Sequence, residues 1–121
     1  MAFNGSEGAS IGIDPAAAMT SAYRNTGWNT INSVFFGKDI LNQILQQGGD
    51  RDPTMGIRFY FALNDKGEMT LVAAGASANQ NDQLPGDGYT IADFGSPCPG
   101  AGCPTTTSPL GEVVSDTETR K

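Results

Sequence analysis

The chain has 121 residues, 16 of them glycine; charged side chains make up only 17 %, and thirteen acidic against seven basic residues give a formal net charge of −6. That length suits one core and is short for two domains with linkers. The charge balance, with Arg24, Lys38, Arg51, Arg58 and Lys66 scattered and only Arg120-Lys121 adjacent, excludes the basic footprint that nucleic acid requires.

Residues 1–13 are rich in Gly, Ser and Asn and are expected to form an N-terminal arm. The opening Met1-Ala2-Phe3-Asn4-Gly5-Ser6-Glu7-Gly8 has neither the positive nor the apolar stretch of a secretory signal, so Sec-type export is not expected. No apolar run approaches the roughly 18 to 20 residues needed to span a bilayer, which argues against membrane insertion. Cytoplasmic synthesis is the expectation, with the final location left open.

A single domain is expected over residues 14–94. Asp14-Pro15 signals a helix start, with Asp14 as the capping acceptor and Pro15 at the first helical position. Ala16, Ala17, Ala18 and Met19 favour helix, and Gly27 can end it in the left-handed conformation. Trp28 to Phe35 reads as loop or irregular helix, because helically spaced Trp28, Ile31, Val34 and Phe35 alternate with Asn and Thr. A second helix follows, its apolar stripe formed by Phe36, Ile40, Leu41, Ile44 and Leu45 and its end marked by Gly48-Gly49.

The strongest local pattern is Met55, Ile57, Phe59, Phe61 and Leu63 at alternate positions, then the turn Asn64-Asp65-Lys66-Gly67 and the run Met69 to Ala74. Period two beside a Gly-containing turn is a β-hairpin signature. Its apolar face is expected to pack on the second helix, so that Phe59→Ala costs roughly 3 to 5 kcal/mol as a core truncation. Ser77 to Gly88 reads as a polar loop and Tyr89 to Phe94 as a shorter third strand. Residues 95–121 read as a Pro/Gly/Thr-rich tail or extended arm, with Val113-Val114 its only adjacent apolar pair. The fold class expected is therefore α+β: two helices on a small antiparallel sheet centred on the hairpin, with arms at both ends.

Chemistry is hard to place on this chain. It has no histidine, which removes Ser-His-Asp and Cys-His mechanisms and the commonest nitrogen ligand for metals. Cys98 and Cys103, spaced C-x4-C, suit a small disulfide loop; two ligands fall short of a zinc site, and the spacing is not that of a thioredoxin-like motif. The run Ser77 to Asp82 and Asp87 places oxygens at alternate positions, but the positions an EF-hand fixes hold Ser77, Asp82 and Gly88. Asp50, Asp52, Asp65, Glu68, Asp82 and Asp87 read as solvated turn residues, and Asp93 as a salt-bridge partner for Arg58. No Gly-rich segment is followed by Lys-Ser or Lys-Thr, so nucleotide binding has no support. Arg58 and Tyr60, on the less apolar face of the first hairpin strand, are the candidate ligand-binding pair; the alternative is that they cover solvent or a neighbouring subunit. No cofactor and no metal is expected.

Phe36-Gly37-Lys38-Asp39-Ile40-Leu41, Gly56-Ile57-Arg58-Phe59-Tyr60, Leu63-Asn64-Asp65-Lys66-Gly67 and Thr70-Leu71-Val72 together resemble an uncharacterised family of small bacterial proteins, over about half of the chain. Members of that family continue from the hairpin into a Val-Gly-Val-Asp-Ala-type segment, where this chain has Ala73-Ala74-Gly75-Ala76-Ser77-Ala78. The resemblance reinforces the hairpin and implies no activity or catalytic residue. The functional expectation is a non-enzymatic structural or interaction protein, a homo-oligomer held by sheet edges and terminal arms. The alternative is a small-ligand binding or sensing domain.

Overall fold

The computed structural model describes residues 2–111; Val113-Val114 and Arg120-Lys121 lie outside the described residues. In chain order the elements are α1 (Ile13–Thr26), β1 (Ser33–Phe35), α2 (Lys38–Gln46), β2 (Thr54–Leu63), β3 (Met69–Ser77), a single 3-10 turn (Pro85–Asp87), β4 (Ile91–Ala92) and β5 (Ser96–Cys98). The fold is α+β, with one antiparallel sheet ordered β1-β5 and another ordered β2-β3-β4. By contacts the chain forms two compact units, one from Met1–Gly8, Phe36–Ala62 and Leu71–Phe94, the other from Ala9–Phe35, Leu63–Thr70 and Gly95 onward.

The first unit is built around α2. Asp39 in the first turn places negative charge at the positive end of the helix dipole. Ile44 is fully buried against Ala73 and Ala92, a cross-strand pair of β3 and β4, and Phe36, Ile40 and Ile57 close around it. Alanines beneath the helix let it approach the sheet closely, and in β3 every residue from Ala73 to Ser77 is buried. The expected apolar stripe of α2 is thus narrower than its sequence suggested. Leu45 remains 43 % exposed, since it sits one residue past Ile44 and projects about 100° away around the helix.

The expectation that the whole odd-numbered face of β2 is buried is also corrected. Ile57 is packed in the core, but Phe59 is 43 % exposed, Phe61 80 % and Leu63 69 %. The cause is length: nine residues of α2 make a rod about 14 Å long, whereas ten residues of β2 extend about 33 Å. Phe59 lies beside the Phe36 ring, with centroids 6.0 Å apart.

A polar brace completes this unit. Buried Gln83 donates through Nε2 to the Asp52 carbonyl (2.7 Å) and accepts from Thr54 Oγ1 (2.7 Å), and its backbone N–H donates to the Gly75 carbonyl (2.8 Å). A Cβ on Gly75 would lie 2.6 Å from Gln83 Oε1, so glycine there makes room for the amide. Gln47 and Thr90 exchange two further bonds, Thr90 N–H to Gln47 Oε1 (2.8 Å) and Gln47 Nε2 to the Thr90 carbonyl (3.2 Å). The expected third strand shrinks to Ile91–Ala92. In the N-terminal stretch, Phe3 N–H donates to the Ala78 carbonyl at 2.9 Å.

In the second unit α1 ends as expected, with Gly27 in the left-handed conformation and its N–H on the Arg24 carbonyl. Its start differs. Gly12, with no side-chain cap, occupies the capping position, and Asp14 lies in the first turn as a dipole-compensating charge. Trp28 to Phe35 is neither loop throughout nor irregular helix: Ser33–Phe35 forms β1, paired antiparallel with β5 in the register Ser33↔Cys98, Val34↔Pro97, Phe35↔Ser96. The start of the segment read as a tail is therefore a strand.

Within this second unit Asn29 holds the turn Asn64 to Gly67 in place. Its Oδ1 accepts from the backbone N–H groups of Ile31 (3.1 Å) and Met69 (3.0 Å), and its Nδ2 donates to the Gly67 carbonyl (3.2 Å). Tyr23 Oη donates to the Ile31 carbonyl at 3.2 Å.

Candidate functional site

Arg58 and Tyr60 alternate with Ile57, Phe59 and Phe61 along β2 and so project from the other face of the sheet. The antiparallel bridge Ala76↔Asp82 folds the loop after β3 back beside the strand and delivers Asp82 to this pair. One Asp82 carboxylate oxygen takes the Arg58 guanidinium and the other takes the Tyr60 hydroxyl. Arg58 also donates through Nη2 to the Gln80 carbonyl (3.2 Å), and its guanidinium lies 5.5 Å from the centre of the Phe3 ring. Arg58 meets Asp82 and not Asp93, because the bridge fixes Asp82 opposite the strand, whereas Asp93 follows β4 on an exposed segment.

The electrostatics follow from this shared carboxylate. The hydrogen bond to Asp82 raises the Arg58 guanidinium above its ordinary value, desolvation opposing it. The bond to Asp82 and then desolvation hold the Tyr60 phenol above its own, with Arg58 opposing. Both groups are engaged with an internal partner. Beside them is a groove of about 380 Å³ lined by Phe3, Gly5, Glu7, Met55, Ile57 and Arg58 among others. Glu7 on its rim accepts the backbone N–H groups of Asn4 and Gly5 at 3.0 Å each, and the Asn4 bond leads in holding its carboxyl below the usual range.

The other sequence candidates are dispersed. Cys98 and Cys103 are joined in a disulfide, with Cys98 buried at the end of β5. Among the described residues no three or more His, Cys, Asp or Glu side chains gather where a metal could be held, and no helix is long and apolar enough to cross a membrane. Two features were missed by sequence reasoning. Asp82 read as an Asx-turn residue, and only its register opposite Ala76 gives it a partner; Gln83 read as part of a solvated loop.

Among the described residues, no strand pairs with the outer edge of β2. The strand stands at one end of the order β2-β3-β4. Asn64 N–H donates across the turn to the Glu68 carbonyl at 2.9 Å. Backbone groups of an antiparallel pair alternate sides, so counting back from Asn64, Ala62, Tyr60 and Arg58 turn their N–H and C=O groups toward β3, and Phe61, Phe59 and Ile57 turn theirs outward. The opposite set on β3 agrees, for the Gly75 carbonyl accepts on the far side from Gln83. The start of this edge is approached by the N-terminal segment, where a Cβ on Gly5 would lie 3.5 Å from the Met55 carbonyl.

Compared with known proteins, the chain matches no family model, no curated protein and no solved structure.

Proposed function

We propose that the chain is a non-enzymatic interaction protein that self-associates, with the edge of its three-stranded sheet as the contact. The observation that carries this reading is β2: a ten-residue edge strand bearing exposed Phe59 and Phe61, with Arg58 as its one charged residue. Exposed edges are ordinarily guarded by charge, proline, bulges or brevity. β2 is long, contains no proline, and its single charge is matched by Asp82. The sparse surface charge of the sequence supports the same reading. Light scattering across a concentration series tests it: a mass rising toward multiples of the monomer is expected, and a monomer throughout would sink it.

The alternative, binding of a small ligand in the groove beside Arg58, is favoured by the groove's volume and by the guanidinium in its wall. It is weakened because Arg58 is already engaged with Asp82, Gln80 and Phe3. A monomer whose thermal midpoint rises with small anionic or aromatic compounds, and does so less after Arg58→Gln, would favour it.

A further inference from the structure

We propose that the partner at this edge is a second copy of the same strand, paired antiparallel about a two-fold axis at Tyr60, so that Phe59 of each copy faces Phe61 of the other. This rests on the self-association reading and adds to it the occupant and the register.

Charge selects the occupant. From Phe59 to Ala62 the strand carries no charge, and Arg58 just before it is neutralised by Asp82, so neither an acidic nor a basic peptide finds a complement there. A neutral aromatic strand does, and β2 is one. An antiparallel two-fold pairing also satisfies the backbone: the outward N–H and C=O groups belong to odd-numbered residues, and an axis at Tyr60 sets Phe59 against Phe61, odd against odd, in hydrogen-bonded pairs.

Charge and space then narrow the register, and ladder length completes the choice, since an axis at Phe61 would pair Phe59 with Leu63 and run Ile57 against the turn residue Asp65. An axis at Arg58 would put the two guanidiniums face to face. An axis at Phe59 would set them on diagonal neighbours and draw Met55, whose carbonyl the N-terminal segment approaches, into the pairing. With the axis at Tyr60, Arg58 lies opposite Ala62 and the guanidiniums separate toward the two ends. Four phenylalanines, two from each copy, then share one face, in the cross-strand aromatic pairs that stabilise sheets. The interface is isologous and closes, giving a dimer and not a filament.

Cysteine cross-linking reads the register directly, because both native cysteines are already bridged and an introduced thiol stands alone. Opposed residues in a non-hydrogen-bonded pair have Cα atoms about 4.5 Å apart, within reach of a disulfide. Full-length Tyr60→Cys under mild oxidation is therefore expected to give a covalent dimer on a non-reducing gel, and Lys66→Cys in the turn is not. Phe61→Lys places like charges beside the axis and is expected to weaken association about tenfold or more. Its circular dichroism should be unchanged, since Phe61 is exposed. A wild-type dimer that survives Phe61→Lys, or that fails to cross-link through Tyr60→Cys, overturns this interface and leaves self-association standing by another surface. A wild-type monomer at every concentration overturns both.

Discussion

At the scale of single residues, burial decides which side chains matter. Ile44 has no exposed surface and sits on two alanines that cannot expand to fill a void, so Ile44→Ala is expected to cost about 2 to 5 kcal/mol in denaturant unfolding. Phe61→Ala, at a position 80 % exposed, should stay within about 0.5 kcal/mol under dilute conditions. Equal losses at the two positions would contradict the core described above. The Tyr60 phenol gives a second residue-scale test. Asp82 raises it in the folded protein, so its contribution to stability is present below the ordinary phenol value and is lost as pH rises through the raised one. In ultraviolet titration the phenolate step assigned to Tyr60, by its disappearance in Tyr60→Phe, should move down in Asp82→Asn. A step unmoved by that substitution would separate Tyr60 from Asp82 in solution.

At the scale of elements, the disulfide and β5 belong together. Cys98 is the last residue of β5 and pairs with Ser33 of β1, and its carbonyl accepts the Asn32 N–H at 2.8 Å. Inside the loop that the disulfide closes, a Cβ on Gly102 would lie 1.9 Å from the Ser96 carbonyl oxygen, so the chain turns back on itself tightly enough to require glycine. Closing so short a loop restricts the unfolded chain by about 2 kcal/mol in the chain-entropy treatment. Cys98→Ser with Cys103→Ser should lower stability by about that amount and raise hydrogen exchange first at Asn32, whose N–H is held by Cys98. Unchanged exchange at Asn32 would show that the two strands hold without the covalent link.

The same elements show how much the sequence could reveal. The hairpin, α2 and the Gly27 stop were legible because their signals are local: period two, a helical stripe, a left-handed cap. β1 was not, since its partner lies more than sixty positions away and three residues of Ser-Val-Phe carry no periodicity of their own. Alternation along β2 identified the strand and its two faces correctly. It could not reveal how far a nine-residue helix would cover a ten-residue strand, and that difference in length leaves Phe61 outside the core. For the candidate site, Arg58 and Tyr60 were legible as neighbours on one face. Their common partner depended on a bridge between Ala76 and Asp82 that no local pattern announces.

At the scale of the whole molecule, net charge opposes the proposed assembly. Two copies each carrying −6 repel one another, while the contact surface proposed on β2 is neutral once Arg58 is matched by Asp82. Salt should therefore act on the long-range repulsion and leave the short-range attraction, which is apolar and backbone hydrogen bonding, nearly untouched. The Debye length contracts from about 30 Å at 0.01 M to about 8 Å at 0.15 M ionic strength, enough to screen charges spread over a 12.6 kDa protein. Association measured by light scattering or sedimentation is accordingly expected to strengthen several-fold across that range. An interface built on ion pairs would respond in the opposite sense, weakening as salt is added, because the attraction itself would be screened. The sign of the salt dependence thus separates an aromatic strand edge from a charged surface as the source of self-association.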